Sequence, residues 1–229
     1  MMPLAALFAI VGALASAGCG GSSASTPTAT PPTAEDLRNT TVDRLRALSS
    51  VHFEISHVEG GTVLGEGMLL NTVEGDAAFP DRASMRAAAT AFNVPVEFGI
   101  VQIADVTYFS GPFGDTWRIV EPGSLPFDFV GMHDSVADAL AAATELAVAE
   151  AGTDAYVLTG RILSQDMRGL VPNTPAGEPL ALVVHVRRAD GLPSAVRITG
   201  KLVTEDPPDM TRVLELRDYD KEVSIRPPI

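Results

Sequence analysis

Cysteine occurs once in the 229 residues, at Cys19. A single thiol excludes an intrachain disulfide and any all-cysteine metal site. Lysine is nearly absent, only Lys201 and Lys221, and the 16 basic residues face 29 acidic ones for a net charge of −13. That balance excludes a nucleic-acid partner, because a phosphate-binding surface needs a local cationic excess to release counterions. Arg187-Arg188 is the only basic pair, and no basic residue precedes Arg38. The same acidity works against electrostatic docking on an anionic membrane. Catalytic signatures are missing too: there is no GxSxG elbow, HExxH, SxxK or phosphate-binding loop. The remaining composition, 46% hydrophobic and 20% charged, is that of a folded chain and not of a disordered one.

The first long feature is apolar. Met1 to Gly18 carries no charge, and Leu4 to Leu14 is almost wholly hydrophobic. Small residues, Ala15-Ser16-Ala17-Gly18, separate this run from Cys19. An apolar core followed by a small-residue cleavage site is the grammar of an export signal. A cysteine directly after Ala-Gly resembles the lipobox of bacterial lipoproteins, although Ser16 stands where leucine is usual. That resemblance implies a signal peptide over 1–18 and a thioether-linked diacylglycerol on Cys19. Stable anchoring of an acidic protein needs at least two acyl chains, and a diacylglycerol supplies two. The next residues, Gly20 to Thr33, are rich in Gly, Ser, Thr and Pro. They cannot bury a core and read as the rest of a flexible tether over 19–33, spanning roughly 20 Å root-mean-square. A plain secretory signal and an uncleaved anchor are the alternatives.

Residues 34–229 read as one mixed domain. Thr33 before Glu35-Asp36, then Leu37, Thr41, Leu45 and Leu48 at helical spacing, predict an amphipathic helix over 34–49. From Ser50 the period changes to two, with Val51, Phe53 and Ile55 against His52, Glu54 and Ser56. Gly60-Gly61 marks a hairpin turn, with 62–72 as the returning strand and a further short strand over 77–83 around Pro80. Val94, Val96, Phe98 and Ile100 alternate clearly against Pro95, Glu97 and Gly99. Further strands are predicted over 106–110, 116–120, 156–163, 180–188, 194–203 and 211–219, and a short helix over 164–170. Val136, Ala139, Leu140, Ala143, Leu146 and Ala147 form one apolar helical stripe, with Asp134 or Ser135 as its cap. Many strands and few helices suit an antiparallel α+β fold.

Candidate chemistry is sparse. His52 and His57 lie five apart on one predicted strand, so they face opposite sides. His133 and His185 stand alone, and no His/Cys cluster has zinc-ligand spacing. Asp218-Tyr219-Asp220 and the acidic turn Glu205-Asp206-Pro207-Pro208-Asp209 read as solvated edges. No metal or organic cofactor is expected, and nothing recommends an enzyme.

With chemistry absent, the order of features becomes informative. The lipobox-like Cys19, the Pro/Ser/Thr tether, the opening helix and SSVHFEI at 49–55 resemble the LppX/LprAFG family of actinobacterial lipoproteins. EGDAAFP at 74–80, ADVTYFSG at 104–111, Tyr156 to Ile162 before a short helix, LPSAVRITGKL at 192–202 and LELRDYDKEVSIRPP at 214–228 match in the same order. The resemblance implies a strongly curved antiparallel half-barrel, with helices on its concave face and an apolar cavity between them. It implies a non-enzymatic protein, anchored by lipid on the extracytoplasmic side of the cell membrane. Such a protein carries or presents acylated lipids or glycolipids across the envelope, with a membrane lipid exporter as a further partner.

The apolar faces available to line such a cavity are Val94, Val96, Phe98 and Ile100 on a strand and Val136, Leu140, Ala143 and Leu146 on a helix. Periodicity finds an apolar face and does not distinguish a packed one from a hollow one. A lipidated interaction module with a filled core therefore remains open beside the lipid carrier, and a tethered hydrolase behind both.

Overall fold

In a computed structural model of the chain, the described residues are 31–65, 67–111, 116–121, 128–172 and 174–229. The expected signal peptide over 1–18, Cys19 and most of the expected tether lie outside them. Order begins at a capping box. Thr33 Oγ1 accepts from the Asp36 amide at 3.1 Å, and the Asp36 carboxylate accepts from the Thr33 amide at 3.0 Å. These bonds satisfy orphan donors at the start of α1 (Ala34–Arg46). The Thr33 hydroxyl, donating to the Asp36 carboxylate at 2.7 Å, and then the Thr33 amide hold that carboxyl below its ordinary value. Leu37, Thr41, Val42 and Leu45 are the buried stripe of α1.

Twelve strands follow: β1 (Ser50–His57), β2 (Thr62–Gly65), β3 (Met68–Ala78), β4 (Arg82–Ala91), β5 (Val94–Ile103), β6 (Val106–Ser110), β7 (Trp117–Val120), β8 (Thr144–Ala151), β9 (Ala155–Leu163), β10 (Pro179–Arg187), β11 (Pro193–Thr199) and β12 (Thr211–Arg217). Helix α2 (Met132–Ala142) precedes β8, and a 3₁₀ turn (Ser164–Met167) follows β9. All pairings are antiparallel, and the strands form one open sheet in the order β7-β6-β5-β4-β3-β1-β12-β11-β10-β9-β8, with β2 beside β3. Laid flat at ~4.8 Å per strand, those eleven positions would span about 50 Å, while two helices cover only ~20 Å. Yet inward side chains from β1, β3, β4, β5, β9, β10, β11 and β12 share one core with α1 and α2. The sheet therefore curls around the helices as an open half-barrel, the architecture the resemblance implied.

Three local readings change. The segment 62–72 does not return against β1: β2 folds onto β3, and β1 instead pairs with β3 and β12. Pro80 sits after a cis peptide bond in the turn between β3 and β4, not inside a strand. Strand β4 itself went unread because its inward residues, Ala83, Met85, Ala87 and Ala89, are mostly alanine, a residue with weak strand preference.

The largest difference concerns the helical stripe over 136–147. Helix α2 stops at Ala142, Ala143 caps it in an extended conformation, and β8 begins at Thr144. Hydrogen bonding to β9 satisfies the backbone that a longer helix would have satisfied internally, and the register shift between Thr144 and Ala147, with Glu145 at positive φ, absorbs the change of period. Leu146 thus belongs to an edge strand and packs over Gly160, where an added Cβ would come within 2.9 Å of its side chain.

Candidate functional site

Helices α1 and α2 pack on each other across the concave face, joined at the rim by a 2.6 Å ion pair between Arg46 and Asp138. Between α2 and the sheet the side chains do not close completely. A cavity of about 70 Å³ remains. Its walls are Val136, Ala139 and Leu140 from α2, Ile55 from β1, Leu70 and Val73 from β3, Leu182 and Val184 from β10, Val196 and Ile198 from β11, and Leu214 from β12. Leu45, Phe129, Ile162 and Met167 also belong to the apolar lining. Phe129 stacks on Phe53 with ring centroids 5.2 Å apart. The space admits a few waters and is well below the ~300–1,000 Å³ of pockets that enclose drug-sized ligands.

One end of the cavity is polar. His57, Thr62 and Arg212 belong to the wall. His57 Nδ1 lies 2.9 Å from the Asn71 carbonyl, which only accepts, so Nδ1 carries the proton and Nε2 accepts from Thr62 Oγ1 at 2.9 Å. Burial, the largest influence, pulls the His57 pKa below 6.5. The bond to Asn71 opposes that shift, and the charge on Arg212 adds to it. Arg212 Nε donates to Thr62 Oγ1 at 3.0 Å, and Nη2 to Asp206 Oδ1 at 2.7 Å. Asp206 is wholly buried, and its Oδ2 accepts from the amides of Leu202 and Val203 at 2.9 Å each. The acidic turn at 205–209 is therefore not a solvated edge throughout, because Asp206 turns inward to meet Arg212. The available signal was a charge on an apolar face: Arg212 alternates in phase with Leu214 and Leu216.

The eight residues proposed from sequence separate. Val136 and Leu140 stand on the cavity wall. Val96, Phe98 and Ile100 are buried in the common core away from that wall, with Phe98 against Phe109 at 5.4 Å between ring centroids. Val94 is 55% exposed at the start of β5, beside Phe92 at 80% in the β4–β5 turn. Ala143 is buried at the end of α2, and Leu146 is half-buried on β8. The residues missed include Leu182, Val184, Val196 and Leu214, whose strands were read but not placed opposite α2.

Elsewhere the chemistry is modest. His52 and His57 do face opposite sides, and among the described residues no three His, Cys, Asp or Glu side chains gather as metal ligands. His133, buried in α2, stacks on Phe79 with centroids 3.6 Å apart, and burial lowers its pKa despite Asp134 nearby. A groove of about 540 Å³ on the outer face, bordered by Glu74, Arg86, Glu97 and Trp117, is open and polar. Among the described residues no helix is long and apolar enough to cross a membrane.

No protein-family model matches this chain, and no curated protein sequence matches it. Solved structures do share its architecture. LprF from Mycobacterium bovis aligns with a TM-score of 0.63 at 14% identity, over 85% of this chain and 96% of its own. The lipoprotein LppX of Mycobacterium tuberculosis aligns with a TM-score of 0.54 at 14% identity, over 83% of this chain and 96% of its own. These alignments give this chain the fold of LprF and LppX.

Proposed function

We propose that this chain is a membrane-anchored lipoprotein that binds acylated lipids or glycolipids between α2 and the sheet and carries or presents them across the cell envelope. The observation that carries the reading is the incompletely closed, almost wholly apolar space between Leu140 and the strands behind it, on a fold shared with LppX. Apolar surface transferred from water gains ~25 cal/mol per Å², so an acyl chain laid along these walls gains with every methylene. The present gap is narrower than an acyl chain with its headgroup, and loading requires α2 to move off the sheet. Residues 1–18 act as the export signal, 19–33 as the tether, and the acyl groups on Cys19 hold the domain near the membrane. A membrane lipid exporter is the partner that would supply or receive the cargo.

The small cavity favours one competing reading, a lipidated interaction module with a filled core. Native mass spectrometry with organic extraction of the full chain, purified from a related bacterium in mild detergent, separates the two. A lipid at near-stoichiometric amount is expected; an apo mass that also refuses added lipids would establish the filled core. The anchor has its own test. Cys19→Ala moves the protein from the membrane to the soluble fraction with its domain folded, and a variant that stays on the membrane contradicts lipidation at Cys19.

A further inference from the structure

Arg212 faces inward on β12 in phase with Leu214 and directly opposite His57 on β1. Its side chain is nine-tenths buried. Nε is spent on Thr62 and Nη2 on Asp206, but Nη1 is buried with no hydrogen-bond partner among the described residues. The polar side chains bonded around it are otherwise committed: Thr62 to His57, His57 to the Asn71 carbonyl, and Asp206 to two backbone amides. Buried donors are almost always satisfied. This one belongs to a residue of the wall of an otherwise apolar cavity, which lacks an acceptor beside it.

We infer that Arg212 Nη1 is the polar anchor of the ligand site, donating to the carbonyl oxygen of an acyl ester whose chain lies along Leu140, Val196 and Leu214. This rests on the lipid-binding reading and adds the chemistry of the group recognised. Charge decides between an ester and a free acid. The Arg212 cation is already balanced by the Asp206 anion, and burial favours the neutral ring of His57 despite its bond to the Asn71 carbonyl. A carboxylate or phosphate placed here would leave a net negative charge in an apolar surround, which is strongly unfavourable. A neutral carbonyl oxygen fills the vacant acceptor role without disturbing that balance. The fixed partners on Nε and Nη2 hold the guanidinium plane in place before the ligand arrives, so little ordering is lost on binding.

The test compares three ligands of matched length, decane, methyl nonanoate and nonanoate, by displacement of the neutral dye N-phenylnaphthylamine from the delipidated full chain at neutral pH. Methyl nonanoate is expected to bind more tightly than nonanoate. The variant Arg212→Met combined with Asp206→Asn removes both charges together. In it, ester affinity should fall about tenfold while decane stays within roughly twofold, the loss of one hydrogen bond to a charged donor. Ester binding unchanged in that variant would overturn the anchor. Nonanoate binding more tightly than the ester, a comparison that needs no variant, would overturn the neutral-carbonyl assignment. Wild-type protein that binds neither decane nor the ester would overturn the lipid-binding reading, and the anchor with it.

Discussion

Two histidine–arginine pairs face each other across β1 and β12, His52 opposite Arg217 and His57 opposite Arg212. The residue types are the same and the spacing along each strand is five, so one pair points outward and the other inward. Outside, His52 bonds Asp76 at 2.8 Å and Arg217 meets Glu74 at 3.1 Å, with the Arg217 side chain 48% exposed. Water and salt screen these contacts, and each contributes little. Inside, Arg212 and Asp206 are bonded in a space that water barely enters, where losing either partner strands a charge. Period two alone produces this difference, and only the inner pair borders the cavity.

Removing the inner cation should have the largest effect. Arg212→Met is expected to cost about 3–5 kcal/mol in urea-induced unfolding because Asp206 remains buried without its partner. Adding Asp206→Asn should restore most of that loss; a single variant near wild-type stability would show that water reaches the pair. The histidines sharpen the contrast through pH. The folded-state pKa of His57 lies below its unfolded value of 6.5, so folding favours the neutral ring. Its contribution is complete above pH 6.5 and is lost as pH falls below it, since the unfolded chain then takes up the proton first. His133 acts in the same direction. Thermal unfolding between pH 7 and 5 should therefore show a falling midpoint, with a shallower fall in His57→Gln. Smallest of all, Arg217→Ala should change stability by about 0–1 kcal/mol, and a larger loss would mean the outer network acts as a unit.

What the sequence revealed follows the same physics. Helix α1 was legible because its cap, Thr33 with Asp36, is a local device. The strands β5, β10 and β12 were legible because bulky inward residues alternate with polar ones. Strand β4 was hidden by alanine, and the end of α2 was hidden because Ala143, Leu146 and Ala147 fit a helical stripe until the edge of β9 claims them. The cavity was half legible. Val136 and Leu140 were found because a helix facing a sheet shows its stripe, but Val94 to Ile100 were named for their clear alternation alone. Which inward strand face lies opposite α2 depends on how far the sheet curls, and no local period records that. Arg212 was missed although its phase with Leu214 and Leu216 marks it, because a single charge on a strand reveals its burial only through that phase.

We propose that the space beside Leu140, and not the inward face of β5, holds the lipid. The direct measurement is lipid retained per protein in Leu140→Trp and Phe98→Trp, each purified as the full chain and checked for folding by circular dichroism. Leu140→Trp should fill the cavity and lose most of its lipid. Phe98→Trp should keep a near wild-type load, with an overpacking cost of about 1–3 kcal/mol in stability. Equal retention in the two, or loss confined to Phe98→Trp, would contradict the claim and place any ligand elsewhere on the fold.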